Sequence, residues 1–386
     1  MRRLTSRYRV VAWIGFLALS VALTACTGAT GAGGDEDGGP DTSAEEPEAG
    51  DEGQSTDSPE GGDEGEADLT AITVAATAPV PAGFPAYWLA EGYGFYEEEG
   101  LDVDLTSPTG SPPSLLLSGR LDIAGVQFDY IPQGAEEDRL KIFMHTDLMP
   151  WVLVTFEDSR IDEIADLQGE TIGINEPDDE GEAQFLLASG GLFPGDYELV
   201  PVGEDTASLI AMERGEVAAF MGAFRGANTY LPDEASRPLR LLENPRGAFP
   251  GSGPMATVDF LEDNRDVAAA FGRALARAII WQQENPELSA EVLLGMVPET
   301  AEDVEQMTLF LELANDWHSE PYEDDMLRID EEEVSEYIDT WVELGFIEEP
   351  YDPSRIMTND LYDDIFDFDV EAEQEQARNA TSPPNG

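Results

Sequence analysis

Rings and amides set beside short β-like runs are the side chains of this sequence whose types and spacing could do chemistry. Phe84, Tyr87 and Trp88 come after a first run of that kind, Gln127, Phe128 and Asp129 after a third, and Gly110 and Ser111 sit in a 107–114 loop that opens a helix. Asp147 and Trp151, then Asn175 and Glu176, then Phe224 and Arg225, occupy comparable places further on. Several rings with few bases suit a flat heterocycle, stacked against aromatic faces and read by hydrogen bonds from asparagine and carboxylates. A small anion such as a sulfonate or nitrate would instead want Arg225 or the clustered N–H groups of the 107–114 loop. Both ligands stay open on the residues alone. Each group also has a structural role available: rings in a core, acids as solvated surface, serines as turn caps, Arg225 in an ion pair.

Covalent chemistry has little to work with. His145 and His318 are the only histidines, and neither neighbours a serine or cysteine nucleophile in a recognisable motif. No Walker loop, dinucleotide fingerprint or His/Cys metal spacing is present. Asp363-Asp364 and Glu331-Glu332-Glu333 lack the ordered ladder of a calcium loop. Cys26 is the only cysteine, which excludes internal disulfides and cysteine-held metals. No catalytic residue, metal site or cofactor is expected.

Charge narrows the partners. The 82 acidic and 19 basic side chains give a formal charge of −63. Nucleic acid is excluded, because phosphate binding needs a basic footprint. A self-repelling surface is tolerated best where salt screens it, with a Debye length of about 3 Å at molar ionic strength. A salt-loving host is the expectation.

The candidate groups need a scaffold, and the periodicity supplies one. Segments 71–75, 101–105, 121–126, 170–174, 197–202 and 217–221 read as strands, with helices at 86–99, 112–118, 182–189 and 207–214 between them. Parallel strands need such crossovers, so the class is α/β. The alternation occurs twice, which favours two lobes. Beyond residue 260 the strands cease; helices at 267–285, 287–296, 302–317 and 331–345 follow, and a polar tail from Asp367 is expected to fray. Within GFYEEEGLDVDL, residues 94–105, Gly100 stops a helix and a strand begins at once. Glu97, Glu98 and Glu99 oppose the dipole of that helix and read as a solvated face.

The N-terminal part stands outside this scaffold. Arg2, Arg3, Arg7 and Arg9 precede an uncharged apolar run from Val10 to Leu23, too short to span a bilayer comfortably, so residues 1–26 read as an export signal. Leu23-Thr24-Ala25-Cys26 resembles the bacterial lipobox, which makes Cys26 the expected lipidation site and membrane anchor. Residues 27–68 hold 15 acidic and no basic side chains. They cannot bury enough apolar surface to offset chain entropy, and read as a disordered acidic linker.

Residues 81–105, PAGFPAYWLAEGYGFYEEEGLDVDL, resemble the opening of the solute-binding proteins of bacterial ABC importers, and within them the thiamine-pyrimidine-precursor branch called NMT1/THI5-like. LSGRLDIA (117–124), IADLQGETIG (164–173), MERGEVAA (212–219) and WVELGFI (341–347) agree with it in the family's order. The resemblance implies a two-lobe periplasmic-binding-protein-like (type II) fold with hinge strands and a helical C-terminal part. Lobe one would be residues 69–150 plus 260–386 and lobe two 151–259, with 151–156 and 255–260 crossing between them. It also implies a monomeric lipoprotein on the outer face of the cell membrane. Such a protein captures a small molecule, here a thiamine pyrimidine precursor or similar heterocycle, for ABC permease subunits. An organosulfonate or nitrate is the alternative ligand. Yeast relatives of the branch are pyrimidine-synthesising enzymes, but the cysteine-rich motif they carry is absent here, and the chain is expected not to be an enzyme.

Overall fold

Two sheets take up the alternation of strands and helices. The computed structural model describes residues 69–76, 84–107, 110–128, 132, 138–148, 151–204, 206–223, 231–242, 250–298, 301, 303–315 and 325–384. In the first sheet β1 (Thr70–Ala76) leads through α1 (Pro85–Gly92) and α2 (Phe95–Glu98) to β2 (Leu101–Thr106), and α3 (Pro112–Leu117) leads to β3 (Ile123–Gln127). β1 lies between β2 and β3 and is parallel to both. Short strands β4 (Leu140–Ile142) and β5 (Asp147–Leu148) follow.

α1 and α2 replace the single helix expected at 86–99. Proline is tolerated in a first helical turn, where its missing N–H costs nothing, and Pro85 opens α1 there. Gly94 then breaks the helix with a φ of 75°, a left-handed value that a Cβ resists.

The chain enters the second sheet with β6 (Trp151–Phe156), followed by β7 (Thr171–Ile174), α4 (Glu180–Ser189), β8 (Glu198–Pro201), α5 (Thr206–Glu213), β9 (Ala219–Ala223), α6 (Leu231–Glu234) and β10 (Leu239–Leu242). The strand order is β10-β6-β9-β7-β8. β7 is parallel to β8 and β9, whereas β6 runs antiparallel to its neighbours.

β11 (Pro250–Thr257) returns to the first sheet. It pairs antiparallel with β3 on one side and with β4 and β5 on the other. Residues 255–260 are therefore not a crossing, as expected from sequence, but the end of a central strand and the start of α7 (Val258–Asp263). The chain instead passes between sheets from Leu148 to Trp151 and back from Leu242 to Pro250. By sheet membership, 250–257 goes with the first sheet. The composition of β11, PGSGPMAT, hides this role, because a strand covered on both sides need not alternate.

The remaining helices are α8 (Arg265–Glu284), α9 (Pro286–Met296), α10 (Val304–Asn315), α11 (Glu331–Glu343), α12 (Tyr362–Ile365) and α13 (Val370–Asn379). α8 is the spine of the larger core. Its Trp281 ring lies 4.9 Å from Tyr93 and 5.7 Å from Phe95, all three fully buried or nearly so. Each such side chain contributes about 1.5–3 kcal/mol by leaving water.

Two expectations fail around α8 for one reason, the first of them only in part. Glu97 and Glu98 are exposed, but Glu99 is half-buried and accepts from Arg273 Nε at 2.7 Å, and Arg277 Nη1 lies 2.7 Å from Glu98 and 3.6 Å from Glu99. The tail does not fray. Asp369 caps α13 at Ala372 N, Trp281 Nε1 donates to Glu373 at 2.6 Å, and Asn285 Nδ2 donates to the carbonyls of Ala377 and Ala380. Arg277 also sits 3.2 Å from Glu373, an ionic contact without hydrogen-bond alignment at Nε. α8 thus gathers acids from both ends of the chain around two of its few arginines, a pairing across sequence that no local pattern announces.

Candidate ligand-binding site at the facing sheet edges

Strand direction identifies the two edges that the chain joins. β5 and the start of β11 lie abreast of the carboxyl end of β3, through the pairs Ser252–Gln127 and Ser252–Asp147. In the second sheet the start of β6 lies abreast of the carboxyl end of β9, through Trp151–Ala223, and β10 ends beside Leu153. Both links between sheets therefore run from carboxyl edge to carboxyl edge, the place where open α/β sheets hold ligands.

At the first edge a polar chain can be oriented. Ser252 Oγ donates to Asp147 Oδ1, so the hydroxyl 2.8 Å away on Thr146 must donate to Ser252. Thr146 N also donates to the Ser252 carbonyl at 2.9 Å. Gly253 makes this approach possible, because a Cβ there would stand 2.1 Å from the Met144 carbonyl oxygen. His145 is buried, with its ring edge-on to Phe128 at 6.4 Å and its Nε2 on the Asp147 carbonyl oxygen. Burial pushes its pKa down to about 4, against a smaller upward pull from that hydrogen bond, so the ring is neutral near pH 7 and Nε2–H is the donor.

The sequence-expected residues take different places. Phe84, Tyr87 and Phe128 are buried in the cores beneath the edge. Phe84 meets Tyr87 edge-on at 5.8 Å, and the Tyr87 hydroxyl lies over Gly125, where a Cβ would come within 3.1 Å of it. Burial first, and the charge of Asp147 second, hold the Tyr87 phenol well above its ordinary range. Trp88 is half-buried against the same core. Gly110, with φ of 122°, and Ser111, at the N-cap of α3, are exposed. Gln127 is half-buried beside Ser252. On the second sheet Trp151 is half-buried at the start of β6, and Asn175 is buried just past β7. Glu176 is exposed, its N–H donating to Asp179 at 3.0 Å. Asp129, Phe224 and Arg225 lie outside the described residues.

Tyr87 Oη, Trp88 Nε1 and Asn175 Oδ1 are shielded from solvent without a hydrogen-bond partner among the described residues. Such an atom costs about 1–3 kcal/mol while it stays unpaired. Asp147 at the first edge and Glu176 and Asp179 at the second are acidic groups among the described residues. Sequence reasoning missed Thr146 and Ser252; the signal that could have found them is the Gly-Ser-Gly run of β11, which marks close backbone approach. A cavity of 240 Å³ lies elsewhere, between α4 and edge strand β8, walled by Pro177, Gln184, Tyr197 and Pro201.

Comparison with known proteins gives this geometry a context. A family model described as NMT1/THI5 like matches residues 83–289. The formylaminopyrimidine-binding protein of Halalkalibacterium halodurans is 27% identical over 216 residues, which are 52% of this chain and 63% of that protein. The match thus spans less than two thirds of that relative. Among solved structures, the periplasmic sulfonate-binding protein SsuA of Methylobacillus flagellatus superposes with a TM-score of 0.58 at 17% identity, covering 80% of this chain and 96% of that one. The periplasmic nitrate-binding protein NrtA of Synechocystis superposes at 0.55 and 15% identity, covering 83% and 93%. At these identities the likeness is one of fold: the two-lobe α/β architecture of type II periplasmic binding proteins.

Proposed function

Because the chain belongs to the NMT1/THI5-like family, we propose that it is an extracytoplasmic solute-binding protein of an ABC importer, capturing an amino-substituted heterocycle of the pyrimidine class. The observation that carries this reading is the hydrogen-bonded group of Thr146, Ser252 and Asp147, which sets a carboxylate at the first edge. A carboxylate accepts and does not donate, so it favours an amino group or a protonated ring over an anion. The unpaired atoms of Tyr87, Trp88 and Asn175 are further groups that a ligand's polar tips could satisfy. The name of the Halalkalibacterium relative supports the same class.

Capture needs no covalent step, and the protein is not an enzyme on this reading. Ligand contacts to both edges favour the shut arrangement, and only differential affinity for that state shifts the equilibrium. Ligand-binding residues are Asp147, Gln127, Trp88, Trp151, Asn175 and Glu176, with Gly110 and Ser111 at the rim and Asp129, Phe224 and Arg225 completing the set. Cys26 carries lipid and anchors a monomer on the outer face of the cell membrane beside its permease, with the acidic surface adapted to salt. A sulfonate or nitrate is the second reading, favoured by the named ligands of the fold relatives.

Isothermal titration with formylaminopyrimidine, taurine and nitrate decides between them. Saturable binding of the pyrimidine alone is expected; binding of either anion in its place overturns the pyrimidine reading. Melting in 0.1 M and in molar potassium chloride tests the salt adaptation, and a melting temperature that does not rise counts against it.

A further inference from the structure

α4 has two apolar faces, and they belong to different cores. Ala183, Leu186 and Leu187 pack into the core of its own second sheet. Phe185, fully buried, packs instead with Leu115, Leu116, Val126 and Ile142 of the first sheet's layer, through α11. Its ring lies 4.2 Å from Tyr337 and 5.3 Å from Trp341. One helical turn earlier, the Trp341 ring also lies beside Gly181, where a Cβ would meet it in ordinary contact at 3.6 Å. Phe346 closes the far side of Trp341, edge-on at 5.0 Å. Among the described residues this ring cluster joins the two lobes without touching the polar chain at Asp147.

The position of α4 gives the cluster its consequence. The helix follows Asn175 and Glu176 after a single short turn, and its contacts to the second core make it rigid with β7. The lobes are linked along the chain only from Leu148 to Trp151 and from Leu242 to Pro250. We propose that Phe185 is a positioning residue for ligand capture: it clasps the lobes through Tyr337 and Trp341, holds the Asn175–Glu180 segment against the first sheet's edge, and parts when the cleft opens. This rests on the binding-protein reading only for its ligand arm.

The test compares Phe185→Ala with Leu187→Ala, a truncation on the same helix that faces its own core. Phe185→Leu serves as the conservative rescue. Small-angle scattering of the full chain without ligand reads the clasp directly: Phe185→Ala is expected to increase the radius of gyration, Phe185→Leu to restore most of it, and Leu187→Ala to leave it unchanged. Stopped-flow dissociation of formylaminopyrimidine is expected to be about tenfold faster in Phe185→Ala, the scale of one lost aromatic pair. Scattering that is the same for parent and Phe185→Ala overturns the proposal, since the contact is then a pivot that never parts or a clasp that never forms. Equal effects of Phe185→Ala and Leu187→Ala overturn it too, as they reduce Phe185 to core packing. If the parent does not bind the pyrimidine, the proposed ligand fails while the scattering arm still judges the clasp.

Discussion

Ser252 donates its hydroxyl proton to Asp147 across the β11–β5 pair, at the point where the chain is about to leave the first sheet. That bond fixes one carboxylate oxygen and, through the proton count, makes Thr146 the donor to Ser252. Ser252→Ala removes the middle of the chain while leaving the backbone pairing intact. We expect formylaminopyrimidine to bind about tenfold more weakly in isothermal titration, the scale of a hydrogen bond to a charged group. Unchanged affinity would place the ligand away from Asp147.

Tyr87 carries a shielded hydroxyl with no described partner, over Gly125. Replacing an unpaired buried polar atom by hydrogen removes a desolvation cost. Tyr87→Phe should therefore melt no lower than the parent without ligand, and up to about 1 kcal/mol of stability gain is expected. A loss of more than that in urea titration means the hydroxyl is paired in solution.

His145 makes stability depend on pH in a defined direction. Its pKa is held near 4 in the folded protein, below an ordinary value of 6.5, by burial. Between those values the unfolded chain takes up a proton that the native ring refuses. The contribution is complete above pH 6.5 and is lost as pH falls towards 4, up to about 3 kcal/mol. In urea titrations at pH 7 and pH 4.5, the parent should lose about 2 kcal/mol more than His145→Gln. Equal losses would show that the ring protonates in place.

Arg277 is 12% exposed in its side chain and sits among Glu98, Glu99 and Glu373, with its guanidinium 4.0 Å above the Phe95 ring. Removing it takes away the cation these carboxylates share, leaving Glu99 to Arg273 and Glu373 to the Trp281 indole. Arg277→Met is expected to cost about 2 kcal/mol. Arg214→Met, which breaks an exposed pair with Glu216, should stay within about 0.5 kcal/mol. Similar costs for the two would mean that solvent screens the cluster.

Local chemistry was enough to find most of the scaffold. Gly100 ends a helix and releases β2 because glycine tolerates a left-handed φ, and Leu101, Val103 and Leu105 alternate because one face of β2 meets the core. Such signals act over a few residues and survive in one dimension. The family resemblance carried the two-lobe architecture, and the loops after β1, β3 and β7 could be picked out as candidate ligand loops because strand ends follow once the strands are located. Phe84, Tyr87 and Phe128 show the limit: a ring beside a loop reads the same whether it faces a ligand or the core, and only packing decides.

What the sequence determined by itself was the α/β class, the order of most of its elements, and the excess of acidic over basic side chains. Tertiary structure alone decided that β11 is central, that Glu98, Glu99 and Glu373 surround Arg277, that Thr146 and Ser252 lead to Asp147, and that Phe185 belongs to the other lobe's core. The physical reason is distance along the chain. Periodicity and caps are set by neighbours within a turn or a strand, whereas these pairings join residues about 100 to 180 positions apart and exist only when the whole fold brings them into contact.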